Sequence, residues 1–195
     1  MLDGLKGSEH KRTPRPHTIR VSGHRLAQRV LSFGALATGT TITSQVPGAT
    51  FGSPESIGFP GDAPVHVCAA APTAQHTGPA LAPTCAGGPS GYVTAGTMAR
   101  LTTPANTVSI RVGTTQAGPG GFSAELDGFD ANGRLVHQDA ALVGSSTNGQ
   151  SAGLATTLQI SAGHAESIVY LAIFLNAYWT PGPDLILDDL AYTGI

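Results

Sequence analysis

The sequence has few charged side chains, few aromatic rings and very little cysteine. Only 11% of its 195 residues are charged, 6% are aromatic, and it holds two cysteines and a single tryptophan. Helical bundles use Glu, Lys and Leu at helical spacing, so the scarcity of charge disfavours that class. Two cysteines without C-x-x-C spacing also disfavour a four-ligand zinc site.

Long hydrophobic runs are absent as well. The longest apolar stretch, residues 168–175, has the length of a β-strand and falls short of the roughly 18 residues that a transmembrane helix needs. The sequence therefore excludes a transmembrane helix. Arg25 and Arg29 precede an apolar run that starts at Val30, a pattern similar to a signal-peptide core. Because this run lies far from Met1 and contains glycine, we interpret it as the first strand of the domain.

Charge is distributed unevenly along the chain. Residues 1–29 hold seven basic and two acidic side chains, whereas residues 30–195 hold three basic and ten acidic ones. An acidic domain presents no electrostatic footprint for nucleic acid, so nucleic acid is not an expected partner. Prolines and the lack of apolar periodicity predict that residues 1–29 form a basic disordered tail.

Glycine and small or β-branched residues dominate the rest of the chain. They predict one all-β domain over residues 30–195, long enough for a two-layer core and expected to be a monomer. Val108, Ile110 and Val112 alternate with polar residues in the clearest predicted strand, 107–112. The other predicted strands are two or three within 30–51, and one each at 94–101, 122–130, 134–138, 155–160, 168–175 and 185–192.

A hairpin turn is predicted between residues 130 and 133. Asn132 and Gly133 tolerate the positive φ that tight hairpin turns require, and the Asp130 carboxylate can accept hydrogen bonds from amides of the turn. A metal role for Asp127 together with Asp130 is the alternative interpretation of these acids. The turn predicts that the strands on either side are paired.

Residues 52–91 are rich in proline and glycine and predict a long loop over the sheet surface. Cys68 and Cys85 both lie in it. A disulfide between them would constrain the unfolded chain by about 3 kcal/mol in an oxidising compartment. The alternative is that both are ordinary reduced residues. We predict the disulfide.

Four segments in this order resemble galactose-binding-like jelly-roll domains: TTITSQVPGATFGSP, PANTVSIRVG, ELDGFDANGRLV and LILDDLAY. The resemblance covers residues 31–192. It extends to carbohydrate-binding modules and to small bacterial secreted or surface proteins found with a PEP-CTERM sorting tail. It implies a two-sheet antiparallel jelly-roll sandwich at an extracellular or cell-surface location. Function on such a scaffold depends on its sites and not on its fold.

Asp188 and Asp189 are adjacent in the last predicted strand, so their side chains are expected on opposite faces and at least one needs a partner. In the domains that this chain resembles, an acid at this place helps to hold a structural calcium ion through hard oxygen ligands. Calcium is therefore the expected cofactor. The alternative is that one carboxylate accepts backbone N–H bonds and the other faces water.

An aromatic loop follows the strand that ends near residue 175. Sugar binding needs an exposed ring that stacks on a pyranose and polar groups that bond its hydroxyls. Tyr178 and Trp179, with Asn176 beside them and Tyr92 elsewhere, are the candidate ligand-binding residues. The alternative is that Trp179 packs at the rim of the core.

No catalytic motif is present: the sequence lacks a nucleophile elbow, a zinc-protease motif and a phosphate-binding loop. We therefore predict a non-catalytic, extracytoplasmic binding module whose partner is carbohydrate. One alternative is a structural or adhesive protein that contacts another surface protein. The other is a glycoside hydrolase, which needs two facing carboxylates, such as Glu125 with Asp127 or Asp189.

Overall fold

The computed structural model describes residues 27–33, 36–37, 39–61, 72–74, 80–81, 93–177 and 185–194. This part of the chain is all-β and its strand pairs are antiparallel, as the sequence predicts. The helix in this part of the chain is a short 3-10 turn, Ser146–Asn148. No helix in the described ranges is long and apolar enough to cross a membrane. The strands are β1 Gln28–Leu31, β2 Ala49–Gly52, β3 Thr73–Ala74, β4 Ala80–Leu81, β5 Val93–Thr114, β6 Phe122–Phe129, β7 Leu135–Val143, β8 Gly153–Ser161, β9 Ile168–Ala177 and β10 Leu185–Gly194.

Strand β5 connects two groups of strands. Its first half pairs with β2 and β9, and its second half pairs with β8 and β10. The sheet continues from β9 to β6 and β7, and from β10 to β1 and β4. The pairing register with β9 shifts between Arg100 and Ala105 of β5. Pro104 lies in this stretch and has no N–H to donate to a ladder, which explains why the sequence predicts two strands where there is one.

Both groups of strands contribute to one main core. On β5, Val108, Ile110 and Val112 are buried, whereas Ser109 is half-buried and Arg111 is exposed, as the alternating pattern predicts. The side chains that β6, β8 and β10 bury against them belong to the same cluster. The long apolar run of β9 is explained by its central position, because a strand covered on both faces has no polar face.

A second apolar cluster lies on the opposite face of β9. Ile57 and Phe59, from the segment after β2, pack there against β6 and β9. The Phe59 ring makes edge contacts with Phe129 and Tyr170 at centroid distances of 5.3 and 5.2 Å. The Tyr170 hydroxyl donates to the carbonyl oxygen of Gly58 at 2.8 Å. Residues 53–60 therefore cover part of this outer face.

The β6–β7 hairpin turns where the sequence predicts. The Asp130 carboxylate accepts hydrogen bonds from the backbone N–H groups of Asn132 and Arg134, both at 2.9 Å. Gly133 has a φ of +76°, and its N–H donates to the Asp130 carbonyl oxygen. These bonds hold the pKa of Asp130 below its ordinary value, with the amide of Arg134 contributing most. Asp130 is thus a turn residue, and strand β7 runs further than predicted, to Val143.

Two segments differ in detail from the prediction. Strand β1 begins at Gln28, two residues before the predicted start of the domain at Val30, and pairs with the end of β10. The run from Val30 to Phe51 contains the end of β1 and the start of β2, and the predicted loop 52–91 contains the short strands β3 and β4. Residues 1–26, Cys68 and Cys85 lie outside the described residues, so the disulfide remains a prediction.

Candidate functional site

Two carboxylates lie side by side on the outer face of β6. Glu125 and Asp127 are two residues apart on an extended strand, so both side chains leave the same face as Phe129 of the second cluster. Leu126 lies between them in the chain and Ala124 precedes them. Both point to the other face and are fully buried in the main core. We refer to Glu125 and Asp127 as the acid pair.

The strands beside the acid pair supply no positive charge. The register partners of Glu125 are Phe174 on β9 and Ala140 on β7. Those of Asp127 are Ala172 on β9 and Gln138 on β7. Asp127 is only 8% exposed, whereas Glu125 is half-buried. An acid that is buried beside apolar and neutral side chains carries a large cost of desolvation when it ionises.

Burial raises the pKa of Asp127 to about 7. Repulsion from the Glu125 carboxylate and a hydrogen bond with it act in the same direction and are smaller causes. Asp127 therefore keeps its proton up to near neutral pH. The Oδ1 atom of Asp127 is buried and has no hydrogen-bond partner in the described part of the chain.

Away from the acid pair, β6 and β5 are paired with the last residues of β9. These residues directly precede Tyr178 in the chain. Ser123, one step along the same face of β6, is the register partner of Asn176 on β9. At the next step, Val93 of β5 is the partner of Ala177 on β9. The structure thus brings the strand that leads to Tyr178 beside the strand that follows Tyr92.

The aromatic candidates themselves are beyond the described residues. This applies to Tyr92, Tyr178 and Trp179, and only the backbone pairing of Asn176 is described. Their role in ligand binding, and the packing of Trp179 at the core rim, both stay predictions. The register of β5 with β9 is the structural information that bears on them.

Asp188 and Asp189 have separate partners. The Asp188 carboxylate accepts the backbone N–H of Phe33 at 3.4 Å. Asp189 pairs with the Arg111 guanidinium at 3.4 Å, and about half of each side chain is exposed. Asp189 has a φ of +49°, and the register of β10 with β5 shifts between Asp188 and Ala191. At such an irregularity, side chains depart from the strict alternation between the two faces of a regular strand.

The calcium site expected at these two aspartates stays a prediction. Calcium takes six to eight oxygen ligands, whereas the carboxylate of Asp189 faces a guanidinium and that of Asp188 faces a backbone N–H. Within the described ranges, no three side chains of the His, Cys, Asp or Glu type come together in a metal-binding group. The contact of Asp188 with a backbone N–H agrees with part of the alternative, whereas the ion pair of Asp189 with Arg111 was not expected.

Sequence patterns indicate where the acid pair lies on its strand but not what surrounds it. They indicate that Glu125 and Asp127 lie on one strand face, and they include them among carboxylates for a hydrolase. They do not show that this face is covered, because the covering residue Phe59 is 66 positions away from Glu125 in the chain. No protein-family model and no curated protein matches this chain.

Proposed function

We propose that this protein is a non-catalytic, extracytoplasmic binding module with a jelly-roll sandwich architecture, and that its ligand is carbohydrate. The ligand residues are Asn176, Tyr178, Trp179 and Tyr92. The single observation that supports the proposal best is the pairing of Val93 with Ala177. It joins the two strands that lead to the aromatic residues.

The chemistry of that end of the sheet suits a polyhydroxylated ligand. Aromatic rings stack on the apolar face of a pyranose, and side-chain amides and hydroxyls bond to its hydroxyl groups. Ser123 and Glu125 on β6 are polar residues in register with Asn176 and Phe174 of β9. The acidic balance of residues 30–195 favours a neutral or amino sugar over an anionic one.

Contact with another surface protein is the first alternative, and hydrolysis of glycosides is the second. A glycosidase holds its two carboxylates at least about 5 Å apart so that sugar and water fit between them. Asp189 is instead paired with the Arg111 guanidinium, which makes it a weak partner for Glu125 in such a reaction. This ion pair favours binding over hydrolysis.

The single tryptophan makes the proposal directly testable. The full-length protein is applied to a glycan array, and each sugar that binds is titrated while tryptophan emission is recorded. We expect a shift in emission with the sugar, and loss of array binding in Trp179→Ala and Tyr178→Ala. The control Leu135→Ala removes a large apolar side chain, 44% exposed, from β7 and is expected to bind normally.

Three outcomes contradict the proposal. Absence of array binding by the wild-type protein removes the carbohydrate ligand and favours the structural or adhesive alternative. Binding that persists in both aromatic variants moves the site elsewhere. Release of free sugar from a bound glycoside, detected by chromatography, favours the hydrolase.

A further inference from the structure

A polar cavity lies at the turn that joins β8 to β9. Its volume is about 630 Å³, and its lining consists of small and polar residues: Asn106, Ala162, Gly163, His164, Ala165, Glu166 and Ser167. Binding sites for small organic molecules have volumes of roughly 300–1,000 Å³. A smaller cavity beside Ser109 of β5, of about 130 Å³, falls below that range. The cavity at the turn therefore has the size of a ligand site.

Three contacts hold the turn in place. At its base, the Ala162 N–H donates to the carbonyl oxygen of Asn106 at 2.7 Å. Within the turn, the Glu166 N–H donates to the carbonyl oxygen of Gly163 at 3.1 Å. The Glu166 carboxylate accepts a hydrogen bond from the Arg134 guanidinium at 2.7 Å, which ties the turn to the β6–β7 hairpin. The walls of the cavity are thus fixed before a ligand enters, which lowers the entropic cost of binding.

The backbone of the turn is strained beside the cavity. Ala165 has a φ of +67° and is the third of the four residues 163–166, where glycine or asparagine normally supplies a positive φ. Gly163 has no room for a side chain, because a Cβ there would lie 2.7 Å from Oε2 of Glu166. Strained residues persist only where the surrounding contacts hold them, and they are concentrated at ligand sites.

The side chains around the cavity suit the hydroxyl groups of a sugar. Asn106 offers an amide that both donates and accepts, Ser167 a hydroxyl and His164 an imidazole. None of these three side chains makes a hydrogen bond within the described part of the chain. Glu166, the acid in the lining, is already paired with Arg134. Free neutral donors and acceptors beside a compensated charge match a neutral polyhydroxylated ligand better than an ion.

We propose that the turn 162–167 and Asn106 form a second saccharide-binding pocket, which holds a short neutral saccharide through its hydroxyl groups. The pocket rests on the proposed function for its ligand class but uses different residues. It lies beside Ile168 at the start of β9, whereas Asn176 lies near the end of that strand. At 3.3 Å per residue the two ends of β9 are roughly 30 Å apart, so both sites can bind one polysaccharide chain.

Amide chemical shifts of the ¹⁵N-labelled full-length protein measure binding at this pocket directly. Glucose, mannose and N-acetylglucosamine are each added up to about 50 mM, with glycerol as the reference. We expect saturating shifts of the Gly163, His164 and Glu166 amides with at least one sugar and none with glycerol. Because the lining contains no Phe, Tyr or Trp ring for stacking, the expected Kd is in the millimolar range.

Asn106→Ala and Ser167→Ala are each expected to weaken this binding about fivefold, because each removes a hydrogen-bonding group and leaves the backbone bonds of the turn in place. Ser109→Ala is the matched control, since it removes a half-buried hydroxyl from the smaller cavity, and is expected to bind like the wild type. Trp179→Ala is also expected to keep the shifts, because Trp179 follows the opposite end of β9. The amide spectrum of each variant shows whether it is folded.

Shifts that do not saturate with any sugar, or that glycerol reproduces, overturn the second pocket, whether or not the glycan array shows binding at Trp179. Shifts that persist unchanged in both Asn106→Ala and Ser167→Ala, or that disappear in Trp179→Ala, also overturn it. Saturating shifts at the turn without array binding support this pocket and contradict the aromatic site, because millimolar binding is too weak for an array to detect. Failure of the proposed function and failure of this pocket are therefore distinguishable.

Discussion

Asp127 illustrates how one residue on a strand face acquires an unusual ionisation. Its position two residues after Glu125 puts a like charge beside it, and Phe129 and Phe174 make this face apolar. Burial is the main reason that its pKa rises to about 7. At an exposed strand position the same aspartate would ionise near 4. The consequence is a group that changes charge close to neutral pH.

The stability of the protein is expected to fall as pH rises toward neutrality in chelator-treated buffer. The unfolded chain loses the Asp127 proton near pH 3.8, whereas the folded chain keeps it until about pH 7. The stabilisation from the bound proton is therefore complete below the lower value and lost by the higher one. At roughly 1.4 kcal/mol for each pKa unit, the loss amounts to a few kcal/mol.

Urea unfolding between pH 4 and 8 measures this dependence. Asp127→Asn, which keeps the shape and cannot ionise, is expected to remove most of the decline and to be more stable than the wild type at pH 8. Asp189→Asn, at an exposed ion pair, serves as the control and is expected to keep the decline. A wild-type stability that is constant over this range would show that Asp127 ionises normally.

At the scale of elements, side chains of β7 bond to the edge of β8. The Asp139 carboxylate accepts the backbone N–H of Gln159 at 2.7 Å, and Nδ1 of His137 accepts that of Ser161 at 3.1 Å. Strand β8 forms its backbone ladder with β5 on one side. The amides of Gln159 and Ser161 that bond to β7 side chains therefore belong to the other edge of β8. The side chains of β7 therefore occupy donors that would otherwise be open to another strand.

Removal of the Asp139 carboxylate is expected to loosen this contact. The hydrogen bond is solvent-accessible, so Asp139→Ala is expected to cost about 1 kcal/mol and to speed exchange of the Gln159 amide about fivefold. Amide hydrogen exchange followed by NMR measures the effect. Gln138→Ala alters the neighbouring β7 residue on the opposite face and is expected to leave that amide unchanged. Equal exchange in all three proteins would mean that the contact is not populated in solution.

At the scale of the whole molecule, β9 joins two apolar clusters. Leu171 belongs to the main core and Phe174 to the second cluster, on opposite faces of the strand. The strand is also hydrogen-bonded to β5 on one side and β6 on the other. Because both clusters use the same backbone, we expect them to unfold together.

Leu171→Ala and Phe174→Ala are each expected to destabilise the fold by about 2–5 kcal/mol. In both variants the loss is expected to shift a single transition, seen at the same midpoint by circular dichroism and by tyrosine fluorescence. Leu142→Ala, at a side chain 42% exposed on β7, is expected to change stability by less than about 0.5 kcal/mol. Separate midpoints in the Phe174 variant would show that the second cluster unfolds independently.

Local patterns predicted much of the fold and part of the candidate site. The alternation around Val108 and the turn chemistry of Asp130 are effects of neighbours in the chain, so they could be recognised directly. The long strand β5 was divided in two because Pro104 interrupts the pattern, although tertiary pairing continues on both sides. The register irregularity at Asp189 could not be predicted, since it depends on which strands flank β10.

The sequence by itself determined the all-β class, the acidic balance of the domain and the β6–β7 hairpin, because strand periodicity, charge and turn residues are local properties. Only the tertiary structure decided the environment of the acid pair. Asp127 becomes buried and its pKa is raised because β9 lies beside β6 with Ala172 and Phe174. Desolvation and register are properties of packed strands, and no local pattern contains them.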